Sequence, residues 1–181
     1  METSLSFTQE FGLWLRRSFG DDVWDDSAGE TAERFFAYLD EYRPQPIDFT
    51  FTTFRKKKAQ LIIVKDIEFA SICCHHLLPF FGRVHIGYIS AKVEVGVSKI
   101  PRLVDWVAHR PQTQERMTSQ LVDELDMRLE PQGVMVVVNS IHTCMSCRGV
   151  RKVGASMVTS LPKGQFLTSP PARQEFLELI R

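Results

Sequence analysis

Apolar residues at the start of the chain recur at helical spacing. Phe7, Phe11, Leu13, Trp14 and Leu15 predict a short amphipathic helix within residues 1–27, followed by an acidic loop over 21–26. Ala32, Phe35, Phe36 and Leu39 share one face of a second predicted helix over 28–42, with Ser27 as N-cap and Pro44 and Pro46 closing it. At Phe49 the period changes. Phe49, Phe51 and Phe54 with Thr50, Thr52 and Thr53 read as a strand, and the basic run 55–58 as a solvated turn or strand edge. Residues 61–64, 67–73 and 84–89 continue as strands, with His85 a structural strand residue. Two helices then follow with no strand between them. The first starts near Ser98 and carries Ile100, Leu103, Val104 and Val107. The second is opened by Pro111 and carries Met117, Leu121, Leu125 and Leu129 through Arg128. Pro131 to Gly133 is the stop. Residues 134–138 form a continuous apolar strand and 152–160 a last one. Pro170 and Pro171 precede a C-terminal helix over 173–180.

Strand, strand, helix, helix, strand, strand after a helical start is an α+β order. It predicts an antiparallel sheet with two helices on one face, over residues 48–181, behind a helical N-terminal segment over 1–47. Such a sheet leaves edges that need partners, and a ring of copies of this chain would supply them.

The 181 residues suffice for a sizeable core. Basic and acidic residues number 22 each, so the net charge is zero, which argues against a nucleic-acid or membrane-surface binder. No apolar run reaches the roughly 18 residues of a membrane span, and the acidic start does not read as a signal peptide.

All four cysteines and three of the five histidines fall in two short runs, Cys73-Cys74-His75-His76 and His142-Thr-Cys144-Met-Ser-Cys147. Clustered this way they read as metal ligands rather than disulfide partners, which places the chain in a reducing compartment, the cytoplasm. Thiolate and imidazole suit zinc, and the Cys73-x-x-His76 spacing lets one tight turn present two ligands. Cys144 is the third ligand in this reading, leaving a fourth position for water. A closed four-ligand site that includes Cys147 stays open on spacing alone.

Four motifs in order resemble the GTP cyclohydrolase I family: Ser71 to Gly82, Gly96-Val-Ser98-Lys99-Ile-Pro-Arg102, Gln112-Thr-Gln114-Glu115-Arg116-Met-Thr118, and His142 to Gly149. The likeness runs from about Thr31 to the C-terminus. It implies the tunnelling fold, a homodecamer of two five-membered rings, and conversion of GTP to formate and 7,8-dihydroneopterin triphosphate. It implies His75 as proton donor to N7 of guanine and His142 as the second acid/base, a task suited to histidine. Both His142 and Cys144 are expected on one side of an extended segment. By resemblance Glu115 accepts from guanine N–H donors with Gln114 beside it. Lys99, Arg102 and Arg148 match the family's phosphate residues, and Ser98, counted with the catalytic residues His75 and His142, lies at a helix start that favours anions. Arg34 would reach a neighbouring subunit's substrate. The chain departs from the pattern at Cys74, where the family has Glu, and at Ala32, where it has Pro. The competing reading is a non-catalytic zinc-containing pterin- or nucleotide-binding member of the same fold, which would bind GTP without releasing formate.

Overall fold

A computed structural model of the chain describes residues 5–20, 30–55 and 58–181. The N-cap expected at Ser27, the acidic loop and part of the basic run lie outside the described residues. The chain divides into two compact units, Met1–Arg43 and Pro44–Arg181.

The first unit contains helices α1 (Phe7–Phe19) and α2 (Thr31–Glu41). A reciprocal capping box starts α1: the Gln9 amide donates to Ser6 Oγ, and the Ser6 amide donates to Gln9 Oε1 at 2.8 Å. The apolar stripes meet through aromatic rings, Phe11 lying 5.6 Å from Phe35 and 5.4 Å from Phe36.

The second unit is built on a sheet. Its strands are β1 (Thr53–Arg55), β2 (Leu61–Cys73), β3 (Pro79–Ile89), β4 (Val93–Val95), β5 (Pro111–Gln112), β6 (Gly133–His142) and β7 (Met157–Gly164). Its helices are α3 (Lys99–Ala108), α4 (Gln114–Leu129), the single turns α5 (Thr143–Ser146) and α6 (Gln165–Thr168), and α7 (Pro170–Leu179). The main sheet has the order β5-β2-β3-β6-β7 and is antiparallel except for the short β2–β5 pair; β1 and β4 form a separate ribbon.

Alternation along β6 explains its apolar run. Val134, Val136 and Val138 face α3 and α4, together with Val84, Ile86 and Tyr88 of β3. Met135 and Val137 face the other way, under Phe166 of α6 and Phe176 of α7. The two expected helices do lie on one face, and the C-terminal helices cover part of the opposite one. Gly87 permits that cover, since a Cβ there would sit 2.6 Å from Phe176 Cδ2.

Several boundaries move. Residues 49–54 are not one strand: only Thr53–Arg55 pairs, and Phe49 and Phe51 pack on the core from irregular chain. The two segments expected over 61–73 are one strand with an irregularity between Val64 and Ile67, where Asp66 adopts φ 58°. Pro111 does not open α4. It pairs with Ile72 in β5, and Thr113 caps the helix by accepting from the Arg116 amide at 3.2 Å. The last strand begins at Met157 rather than 152, because residues 151–155 form turns: Arg151 has φ 50°, and the Lys152 amide donates to Met145 O. Pro170 and Pro171 lie inside the first turn of α7 instead of preceding it.

Candidate metal and acid–base centre

β2 ends at Cys73 and the chain turns at once. The Cys73 carbonyl accepts from the amides of His76 and Leu77, and the Cys73 amide donates to Leu78 O at 2.8 Å. Leu77 takes φ 54° to close the turn. β5 braces it from the side, the Cys74 amide donating to Gln112 O at 2.9 Å. Gln112 is itself buried, giving Nε2–H to Val107 O and accepting from Arg116 Nε. Two residues of the Gln112-x-Gln114-Glu115-Arg116 motif therefore hold the ligand turn in place.

The second cluster reaches the turn because β6 pairs with β3, setting His142 opposite Phe80. The extended segment ends there. Thr143 starts the helical turn α5 and its Oγ1 donates to Pro79 O at 2.6 Å. Cys144 thus sits on a helical turn, not in the extended continuation expected with His142.

The ligand atoms of Cys73, His76 and Cys144 all lie within 4.8 Å of one another. Cys73 Sγ is 3.6 Å from His76 Nδ1 and 3.8 Å from His75 Nδ1. Two sulfurs and an imidazole converging on one point are a donor set that fits zinc. The charges point the same way: burial and the neighbouring Cys73 push the Cys144 thiol up, a cost that a cation would remove. Cys147 is exposed and is not one of the three converging residues.

His142 stands beside this group with its ring stacked on Phe80. Burial lowers its pKa, and the carboxylate of Glu115 opposes that shift, so Glu115 is near enough to be felt. Glu115 itself is exposed on the first turn of α4, free to accept from a ligand. Gln114, expected beside it at the substrate, is instead turned inward and fully buried. Its Oε1 lies 2.9 Å from His142 Nε2. Arg148 is exposed close to Cys144, whose thiol its charge favours in the ionised form.

Ser98, Lys99 and Arg102 are elsewhere. Ser71, next to the ligand turn, donates from Oγ to Ala108 O at 2.7 Å, which puts the C-terminal end of α3 at the metal group. Ser98 and Lys99 stand at the start of that helix, about 14–15 Å along its axis from Ala108, and Arg102 stands about 9 Å from it, at 1.5 Å per residue. Arg34 belongs to the first unit, where it pairs with Glu30 at 2.7 Å. Sequence reasoning missed Phe80, Ser140 and Thr143, since nothing in a lone aromatic or hydroxyl residue marks it as a support for a distant histidine.

Comparison with known proteins accounts for the assembly of motifs. The family model described as GTP cyclohydrolase I matches residues 12–181. The chain is 44% identical over 163 residues to GTP cyclohydrolase 1 of Hydrogenobaculum sp., covering 90% of each. It is 42% identical over 178 residues to that of Halalkalibacterium halodurans, covering 96% of this chain and 95% of the other. Among solved structures it is similar to the archaeosine synthase QueF-Like in the apo form, with a TM-score of 0.49 and 19% identity over 60% of this chain and 97% of that one. With a family model spanning nearly the whole length and relatives of this identity, the chain belongs to the GTP cyclohydrolase I family, and it is an enzyme.

Proposed function

We propose that the chain is a zinc-dependent GTP cyclohydrolase I, opening the guanine imidazole ring of GTP at C8, releasing formate and closing the product to 7,8-dihydroneopterin triphosphate. The observation that carries this reading is the convergence of Cys73, His76 and Cys144 beside His142, with Glu115 on the adjoining helix turn. Zinc held by the three ligands supplies Lewis acidity and brings water ionisation toward neutral pH, about 7.

The chain's own residues do the rest. His75, exposed on the ligand turn, delivers a proton to N7. His142 moves protons as the imidazole and ribose rings open. Glu115 accepts from the adjacent N–H donors of guanine and fixes the base. Arg148, Lys99, Arg102 and the α3 start at Ser98 receive the triphosphate.

The separation of Ser98, Lys99 and Arg102 from the metal group supports a site completed by a second copy of the chain, as does the unpaired state of the sheet's flanks. Among the described residues, β2 over most of its length and β7 have no outer strand partner. Pairing these edges around a ring yields a homo-oligomer, a decamer by family resemblance, in which Arg34 reaches a neighbour's triphosphate. Location in the cytoplasm accords with free thiols; no helix among the described residues is long and apolar enough to cross a membrane.

The test is direct. Purified zinc-loaded protein is given GTP, and formate and the fluorescence of the oxidised pterin are followed. Stoichiometric release of both supports the activity; GTP binding without formate overturns it.

A further inference from the structure

Gln114 opens α4 yet is fully buried, because its side chain crosses to the sheet. Nε2 donates to Val138 O at 3.0 Å and to Met157 O at 3.1 Å, with Thr159 Oγ1 also at 3.1 Å. Backbone carbonyls only accept. Turning the amide over would set its oxygen against two carbonyl oxygens in a buried place, with no proton between them, and would lose both bonds. Oε1 therefore faces the other way, where Ser140 Oγ donates to it at 2.5 Å and His142 Nε2 lies 2.9 Å off.

An amide oxygen has no proton to give, so His142 is the donor in this bond. In the neutral imidazole that places the proton on Nε2 and leaves Nδ1 bare. Phe80, stacked parallel to the ring, fixes its plane. The hydrogen bond fixes its rotation, and the two carbonyls fix the hydrogen bond.

We propose that Gln114 is a positioning residue that sets the rotation and tautomer of His142, holding Nε2–H on its Oε1 and leaving Nδ1 as the ring nitrogen open for the proton transfers of the reaction. This rests on the cyclohydrolase reading above. Gln114 never changes protonation, and it orients the ring as outer partners of site histidines do.

Nitrogen-15 solid-state NMR of histidine-labelled, zinc-loaded protein without substrate tests the assignment, His142 being identified by the signals lost in His142→Asn. The expected result is a protonated Nε2 and an unprotonated Nδ1. A proton on Nδ1 with Nε2 bare overturns the proposal. Gln114→Met, of similar length but with no acceptor, should mix the tautomers and lower kcat at least about ten-fold, while KM for GTP stays within about three-fold and zinc is retained. A lowered Tm with tautomer and kcat unchanged would mean that Gln114 only packs. If that variant does not fold, the wild-type spectrum still decides. The spectrum needs no turnover, so absence of formate release in the wild type defeats the proposed activity and leaves the tautomer result standing.

Discussion

The rings of Phe80 and His142 stack at a centroid distance of 4.6 Å with their planes 4° apart. They meet because β3 and β6 pair in a register that sets the two residues opposite each other, one buried and one at the rim of the site. Cross-strand pairing thus converts a core aromatic into the seat of the acid–base group. Phe80→Leu keeps an apolar side chain and removes the flat surface. The expected stability loss is about 1–2 kcal/mol, the scale of a modest volume change in a core. The expected loss of formate release exceeds what the unfolded fraction explains, and denaturant melts beside single-temperature assays check it.

The metal assignment makes a sharper prediction. Cys73→Ala, His76→Ala and Cys144→Ala each remove one of three converging donors and should abolish bound zinc and turnover together. Cys147→Ala, on an exposed thiol outside the group, should keep both. Metal analysis of the four purified variants decides. Full zinc in Cys144→Ala would sink the ligand set, and loss of zinc in Cys147→Ala would favour a closed four-ligand site.

His75→Ala and His142→Ala should retain zinc and GTP binding and lose at least about 10²-fold in rate, the usual worth of positioned proton transfer. Near-normal formate release from both would refute the two roles. Glu115→Gln should act differently, since it changes a base contact rather than a proton carrier; a rise in KM with the larger part of kcat kept is the expected pattern.

Much of this arrangement was legible in the residues. The stripe Met117, Leu121, Leu125 and Leu129 is fully buried as its spacing predicts, because a long amphipathic helix carries its period without help from tertiary context. The ligands were legible because thiols and imidazoles are rare and chemically specific. What escaped reading depends on pairing across the chain. Pro111 carries a helix-start signal, yet the end of β2 recruits it as a strand, and only the register shows this. Lys65 and Asp66 read as a break between two strand segments, but pairing with β3 carries one strand past them, with Asp66 at a left-handed φ. Gln114 and His142 lie 28 residues apart, and an amide side chain has no signature that names its partner.

His85 gives a pH prediction away from the site. Its Nδ1 accepts from the Asp66 amide at 3.2 Å, at the irregularity in β2, and burial lowers its pKa, with Asp66 opposing and Lys65 and Arg83 adding to the shift. A proton on Nδ1 would break that bond. The unfolded chain takes up the proton near pH 6.5 and the folded chain only at lower pH. Stability is therefore full above about 6.5 and falls as pH drops toward the folded value. His85→Gln, whose amide oxygen can accept from the Asp66 amide, should flatten that part of the profile. Denaturant melts between about pH 8 and 5 compare the two proteins; equal slopes would remove His85 as the source.

Cys74 poses the last question, because it stands where the resemblance expects Glu, next to a proposed ligand. Its amide is tied to Gln112 O and its thiol is not among the three converging donors. Replacing the side chain should therefore leave the ligand turn intact, and Cys74→Glu is expected to keep zinc and activity. Its effect belongs to the metal-free protein. Two thiolates sharing one zinc sit roughly 3.8 Å apart for Zn–S bonds of about 2.3 Å in a tetrahedron. Once zinc leaves, Cys73 and Cys144 remain close, with Cys74 adjacent, and an oxidant can join any two of the three by removing two electrons and two protons. Oxidant should destroy the activity recoverable on re-adding zinc much faster in zinc-depleted than in zinc-loaded protein, and thiol reductant with zinc should restore it. Peptide mapping after mild oxidation should find fewer disulfide pairings in Cys74→Glu than in the wild type. If Cys74→Glu instead loses its zinc while Cys73→Ala holds it, Cys74 is the ligand, and the turn presents its thiols in the opposite register.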